Sequence, residues 1–184
     1  MATNFFTYIP SEFKTVRTIL KETVLQDAAS LYTIWTDASV SRFMNIEYFM
    51  TMKQAKDMIE TISKEKFACR YSIFYQNQLI GSVGINDVDQ KSSSCEIGYE
   101  LSEKYWRQGI MSEVLYHFLS LIEKWLSFEE VTAKVLPDNI ASISLLKKMG
   151  FELKESIQEF DLHSHNFHNV YIYKITLNSN KRPS

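Results

Sequence analysis

The stretch from Glu96 to Val114 changes its apolar period in mid-run. Cys95 to Leu101 is strand-like, a short polar turn follows, and from about Gly109 to Leu126 the residues Ile110, Val114, Phe118, Ile122 and Trp125 mark one face of a long helix. A strand feeding an amphipathic helix requires a sheet for the first element and a covered face for the second. The junction also leaves the first N–H groups of the helix without partners inside it. They point forward, and the helix dipole favours an anion in front of them. Arg107 adds positive charge there, and Gly109 lets the backbone approach closely. A phosphate-bearing ligand fits such a mouth, and so does a plain turn whose glycine only permits the bend. The pattern is neither a Walker loop nor a dinucleotide fingerprint, since both need more glycines.

The remaining periodicities extend this frame. Val16 to Lys21 reads as an edge strand. Ala28, Leu31, Tyr32 and Trp35 give Gln26 to Trp35 helical spacing. Thr51 to Gln54 fits a capping box, and Ala55, Met58, Ile59 and Ile62 mark the helix behind it. Tyr71 to Tyr75 and Leu79 to Ile85 form a strand pair about a hairpin at Gln76 to Gln78. Asp87 to Ser94 reads as a polar turn and Glu130 to Leu136 as a strand. Asp138 or Asn139 caps another helix, which stops at Gly150. Phe151 to Phe160 and Val170 to Leu177 are strands about a polar loop, Asp161 to Asn169. The expected frayed ends are 1–10 and 178–184. Helices do not alternate regularly with strands, which excludes a doubly wound sheet and favours a mostly antiparallel one with helices on its faces.

Composition narrows the function classes. With 184 residues, of which 45% are hydrophobic, one domain with a full core is expected. The net charge of -2 argues against a nucleic-acid partner or a strongly anionic membrane surface. No apolar run is long enough to span a bilayer, and the start lacks a basic n-region, so a cytoplasmic location is expected. Cys69 and Cys95 make neither a disulfide framework nor a zinc signature. His163, His165 and His168 lack a carboxylate or thiol at supporting spacing, so no metal is expected and the histidines read as exposed loop residues.

A second helix mouth opens at Leu136-Pro-Asp-Asn139, after a strand, as if at the same sheet edge as the first. Asn139 and Ser142 share a helix face with Leu146. Taken in order, Glu96-Ile-Gly-Tyr99, Tyr105-Trp-Arg-Gln-Gly-Ile-Met-Ser-Glu113, Asn139-x-x-Ser142 and Lys148-Met-Gly-Phe151 resemble the GNAT acetyltransferase superfamily. The branch is similar to the Rim-type N-terminal acetyltransferases of ribosomal proteins. Thr15 to Leu20, Asp27, Ile34 to Asp37, Val40 to Met44 and Leu79 to Gly81 fit the same branch, so the resemblance covers roughly Thr15 to Leu177.

The resemblance implies an α+β, three-layer fold with a mixed, mostly antiparallel twisted sheet of about seven strands flanked by helices. It implies acetyl-CoA as co-substrate and a primary amine as acceptor, by direct attack in a ternary complex. The α-amine of a protein or peptide is the leading acceptor. A small amine (antibiotic, polyamine or amino acid), a non-catalytic acyl-CoA-binding module and a nucleotide-binding protein are the alternatives. A monomer and a homodimer are both open. Tyr99, Glu100 and Leu101 would lie beside the pantetheine. Trp106, Arg107, Gln108, Gly109, Ile110 and Met111 would surround the pyrophosphate, and Asn139 would hold the thioester end.

Glu96, acting through water, is the leading base and Glu100 the alternative; a pairing role across the sheet for Glu96 is also open. Many relatives carry a tyrosine acid where this chain has Leu146, and Ser142 is the family-like substitute. An alkyl hydroxyl is a weak acid, yet it can donate a hydrogen bond or relay a proton through water. Trp35, Phe43, Tyr48 and Tyr71 are candidate acceptor-site aromatics as well as ordinary core residues.

Overall fold

Strands with apolar residues at alternate positions need paired edges and a covered face, and one sheet supplies both. The computed structural model describes residues 6–162 and 164–177. The strands are β1 Glu12–Lys14, β2 Thr18–Glu22, β3 Cys69–Tyr75, β4 Gln78–Asp89, β5 Ser94–Leu101, β6 Glu130–Val135, β7 Glu152–Asp161 and β8 Asn166–Thr176. The helices are α1 Ala28–Trp35, α2 Ala38–Ser41, α3 Met52–Lys64, α4 Ile110–Trp125 and α5 Ile140–Lys148. The sheet runs β1-β2-β3-β4-β5-β6-β8-β7. Every neighbouring pair is antiparallel except β5 and β6, which are parallel.

Alternation sends the side chains of the central strands to two faces. Tyr71, Ile73, Val83, Ile85 and Ile97 join Val114, Leu115, Phe118 and Ile122 of α4 in the larger core. The residues between them are polar or glycine. Ser72, Ser82 and Glu100 are buried on the other face, the side of α1, where Trp35 Nε1 donates to Glu100 Oε1 at 3.0 Å. A second apolar cluster joins α1 to Ala55 and Ile59 of α3. Gly84 permits the tight β3–β4 contact, since a Cβ there would lie 2.2 Å from the Cys69 carbonyl oxygen.

The sheet has eight strands rather than about seven. The additional one is β1, too short to show a period in the sequence. It takes the edge from β2, so the expected edge strand at Val16 to Lys21 is a second strand shifted to Thr18–Glu22. The polar residues Asp87 to Asp89 stay in β4 because a bulge after Ile85 lets pairing resume. The expected loop from Asp161 to Asn169 is a hairpin: Asp161 pairs with Asn166 and Gln158 with Asn169. His163 and the 178–184 tail lie outside the described residues, as do residues 1–5. Within the expected frayed start, Phe6 is buried, and Tyr71 donates to the Pro10 carbonyl at 2.6 Å.

Phe118 is the largest fully buried side chain on α4. Its side chain is fully buried and meets Tyr71 edge-on at 6.1 Å between ring centres. Phe118→Ala should lower unfolding free energy by about 3–5 kcal/mol, read from urea midpoints at constant slope.

Candidate active site

The parallel ladder between β5 and β6 runs only from Ser94–Glu130 to Ile97–Ala133. Beyond it β5 continues to Leu101 and β6 to Val135, but the two strands no longer pair. The β6-facing edge of Gly98 to Leu101 therefore has no ladder partner in β6, while β4 still pairs the other edge as far as Leu101. A cleft of about 1050 Å³ opens at this parting. It is lined by Glu96, Tyr99, Glu100, Leu101, Trp106, Arg107, Gly109, Ile110, Met111, Asn139 and Ser142. Both helix mouths thus open on one cavity.

The first mouth is built on unusual backbone. Arg107 (φ 59°) and Gly109 (φ 73°) are both in the left-handed region. A non-glycine residue held there stores strain, and such strain persists only when its surroundings fix it. The fixing group is Arg17. Its Nη1 donates to the Gln108 carbonyl at 2.9 Å and its Nε to Glu113 Oε2 at 2.7 Å, while its backbone N–H donates to Glu113 Oε1 at 2.7 Å. Gln108 itself does not line the cleft; its side chain donates to the Lys104 carbonyl at 2.9 Å and braces the loop from behind. The first intrahelical bond of α4 runs from Glu113 N–H to the Gly109 carbonyl. The N–H groups of Ile110, Met111 and Ser112 precede it, and all three residues line the cleft. Arg107 is exposed and makes no ion pair among the described residues, so its charge is available to an anion at the mouth.

The second mouth is capped by Asn139, whose Oδ1 accepts from the Ser142 N–H at 3.1 Å. Ser142 then reaches across the cleft: its hydroxyl shares a hydrogen bond of 2.7 Å with the Tyr99 phenol. Burial pushes the Tyr99 phenol up to about 12, against the smaller downward pull of that bond. Leu146 is fully buried in the larger core and does not line the cleft. Leu101 lends its carbonyl to Trp106 Nε1 at 2.6 Å, which folds the 102–106 turn back onto the strand end.

The two candidate carboxylates have different surroundings. Glu100 is locked, receiving Trp35 Nε1, the Ser82 hydroxyl and Arg70 Nη1, the last at 3.1 Å. Glu96 faces a single cation, Lys134 Nζ, at 3.4 Å. Lys134 also bonds Glu159 at 2.6 Å. Burial works against the lysine charge, but Glu159 and Glu96 together raise its pKa above the ordinary value and keep it an ammonium. Asp161 and His168 line the same end of the cleft, and His168 Nε2 lies 2.7 Å from the Ser164 hydroxyl. Trp35 and Phe43 line the cleft, whereas Tyr71 belongs to the α4 core. Among the described residues no group of three His, Cys, Asp or Glu side chains is placed to hold a metal ion.

Sequence reasoning did not single out Arg17, Arg70, Asn86 or Lys134, nor the Tyr99 side chain as distinct from its backbone. Lys134 was within reach, because alternation along β6 puts it on the face opposite Ala133 and Val135. Arg17 pairs with a residue 96 positions away, which no local pattern reveals.

The Arg17–Glu113 clamp has a pH signature. Burial tends to raise the Glu113 pKa, but hydrogen bonds from Thr15, the Arg17 side chain and the Arg17 N–H outweigh it, leaving the carboxyl below its ordinary value. A depressed folded value gives stability that is complete above the unfolded pKa and lost as pH falls through the folded one. Glu113→Gln should therefore be less stable than the parent at pH 7, and the gap should close towards about pH 3, read from urea midpoints.

The comparisons with known proteins agree with this architecture. The chain is 32% identical over 166 residues to an uncharacterized N-acetyltransferase, p20, of Bacillus licheniformis, covering 88% of this chain and 93% of that one. It is 25% identical over 113 residues to a ribosomal-protein-serine acetyltransferase of Escherichia coli, covering 61% and 63% of the two chains. A solved ribosomal L7/L12 alpha-N-protein acetyltransferase, RimL, in complex with coenzyme A shares the fold with a TM-score of 0.81 at 19% identity, covering 94% of this chain and 99% of that one. Residues 17–152 match the acetyltransferase (GNAT) domain, and with the parted sheet and the two helix mouths on one cleft the chain belongs to that family, the acetyl-CoA-dependent N-acetyltransferases.

Proposed function

We propose that the chain acetylates the α-amine of a protein or peptide, with acetyl-CoA and acceptor bound together in the cleft between β5 and β6. The observation that carries this reading is the parting of those strands with both helix mouths on it. The cavity, about 1050 Å³, is at the upper end of the ~300–1,000 Å³ of most small-molecule sites, which suits a long cofactor and an acceptor together. The N–H groups of Ile110, Met111 and Ser112, with Arg107, form an anion cradle suited to a pyrophosphate. The free edge of Gly98 to Leu101 offers strand-type donors and acceptors to pantetheine amides. The names of two relatives, a ribosomal-protein-serine acetyltransferase and the coenzyme A-bound RimL, support the same pairing of donor and acceptor.

The chain's own groups then divide the work. An N–H of the free β5 edge stabilises negative charge developing on the thioester carbonyl oxygen. Glu96, through water, takes the proton of the incoming amine. An α-amine, with a pKa near ~8, needs little help, so one partly neutralised carboxylate suffices. Ser142 donates to the departing sulfur, and the Tyr99 phenol, bonded to it at 2.7 Å, replaces the proton. The pair supplies the hydroxyl donor that the buried Leu146 cannot. Carboxylate, amine site and hydroxyl pair act from opposite walls of the cleft, so no covalent enzyme intermediate is required.

Thiol release from acetyl-CoA, followed with a thiol-reactive dye over a panel of peptide N-termini and small amines, tests the reading. Peptide N-termini should be the preferred acceptors. Stabilisation by CoA with no thiol release for any amine would leave a binding module instead. Tyr99→Phe and Ser142→Ala should each lower kcat by roughly 10- to 100-fold while CoA affinity falls far less. The double variant should be little worse than either single one, because the hydroxyls act in series. Arg107→Ala should weaken CoA binding about tenfold, measured by calorimetry, and flatten its salt dependence.

A further inference from the structure

Arg70 and Glu100 form a buried ion pair, 3.1 Å between Nη1 and Oε2. Arg70 and Glu100 are 9% and 8% exposed, and replacing such pairs with apolar groups is often neutral or stabilising. What the pair gives is orientation. Arg70 spends Nη1 on Ser82 and Glu100, at 2.8 and 3.1 Å, and directs Nη2 at Asn86 Oδ1, at 2.9 Å. Asn86 is the residue that the β4 bulge leaves without a partner on β5, and bulges re-aim side chains in this way. With Oδ1 committed to a guanidinium that can only donate, Asn86 Nδ2 is fixed as a donor. It lies over Gly98, where a Cβ would sit only 2.6 Å from it. Gly98 is the first residue past the end of the β5–β6 ladder, and both residues line the cleft. Among the described residues Nδ2 has no acceptor, so an oriented N–H waits at the crotch of the parted strands.

The function proposed above, on which this inference rests, runs the pantetheine from the α4 mouth along Leu101 towards Gly98, which brings the thioester and the attacking amine to that crotch. We propose that Asn86, held by Arg70, is a specificity residue that donates to a carbonyl oxygen on the carbon next to the acceptor's amine-bearing carbon. Peptide N-termini and amino-acid amides have that carbonyl; alkyl amines and lysine side chains do not. Asn86 is exposed, so its Nδ2 is hydrated before an acceptor enters; an acceptor that displaces this water and brings a carbonyl restores the hydrogen bond, and an analogue without the carbonyl loses it.

The experiment uses the purified chain with saturating acetyl-CoA and three acceptors: an alanine tripeptide, alaninamide, and isopropylamine, which carries a methyl group where alaninamide has its carboxamide. Rates are expressed per concentration of neutral amine, which removes the difference in basicity. The parent should prefer alaninamide to isopropylamine by roughly 10- to 100-fold in kcat/KM. Asn86→Ala and Asn86→Asp should bring the ratio close to one, with thermal unfolding and a CoA titration reporting that both variants are folded. The Asp variant keeps the shape and replaces the donor with an acceptor, so a ratio retained there would overturn the proposal, as would a parent ratio near one. A tripeptide preferred over alaninamide assigns the carbonyl to a polypeptide, and the reverse to an amino-acid derivative; both support the donor role. A parent ratio near one with release from all three acceptors overturns this inference and leaves the proposed acetylation of peptide α-amines intact, whereas release with isopropylamine alone, or with none of the three, overturns both.

Discussion

Two parallel strands that stop sharing hydrogen bonds halfway along their length create most of what is particular about this protein. β5 and β6 are joined through four residue pairs and then separate, so that β5 carries a paired edge on one side and a free edge on the other. Free backbone edges inside a fold must find partners or water. Here the edge becomes the wall of a cleft, and the two helices that follow the parted strands start at its rim. Each helix mouth alone is an ordinary helix start. The shared strand edge between them brings both onto one cleft.

The electrostatics of the cleft are graded by burial. Glu100 is enclosed by three donors and acts as part of the framework. Glu96 has one cationic neighbour and remains open to the cleft. Two carboxylates at i and i+4 of one strand share a face, but the face alone does not give them the same job. The difference comes from Arg70 and Trp35, contributed by β3 and α1. Likewise the hydroxyl pair of the cleft is Tyr99 and Ser142, because the core claims position 146. A side chain with no exposed area on the inner face of α5 is closed to a solvent-facing phenol.

Elements with long, regular periods were readable from the chain itself. The α4 face, the β3–β4 hairpin with positive φ at Gln76 and Asn77, the capping box at Thr51 and the stop at Gly150 all follow local rules. The three-residue β1 and the four-residue α2 are too short to show a period. The β4 bulge hid Asn86, because an inserted residue breaks the alternation by which a strand assigns its faces. The polar residues of the β7–β8 hairpin read as a loop because both faces of that arm are largely exposed, so no hydrophobic alternation marks it. At the site, the helix-mouth residues were legible from their capping and glycine chemistry. Arg17, Arg70 and Lys134 were not, since each acts through a partner on another element.

The last strand among the described residues lies inside the sheet: β8 sits between β6 and β7 and bonds both. During synthesis from the N-terminus, β6 and β7 therefore leave the ribosome with no direct contact available between them as sheet neighbours. The outer edge of β6, one strand from the cleft, stays open until some forty residues later, when β8 arrives. Completion of the sheet is thus a wedging step, and a nascent chain halted before Asn166 would present an unsatisfied, sticky border to its surroundings.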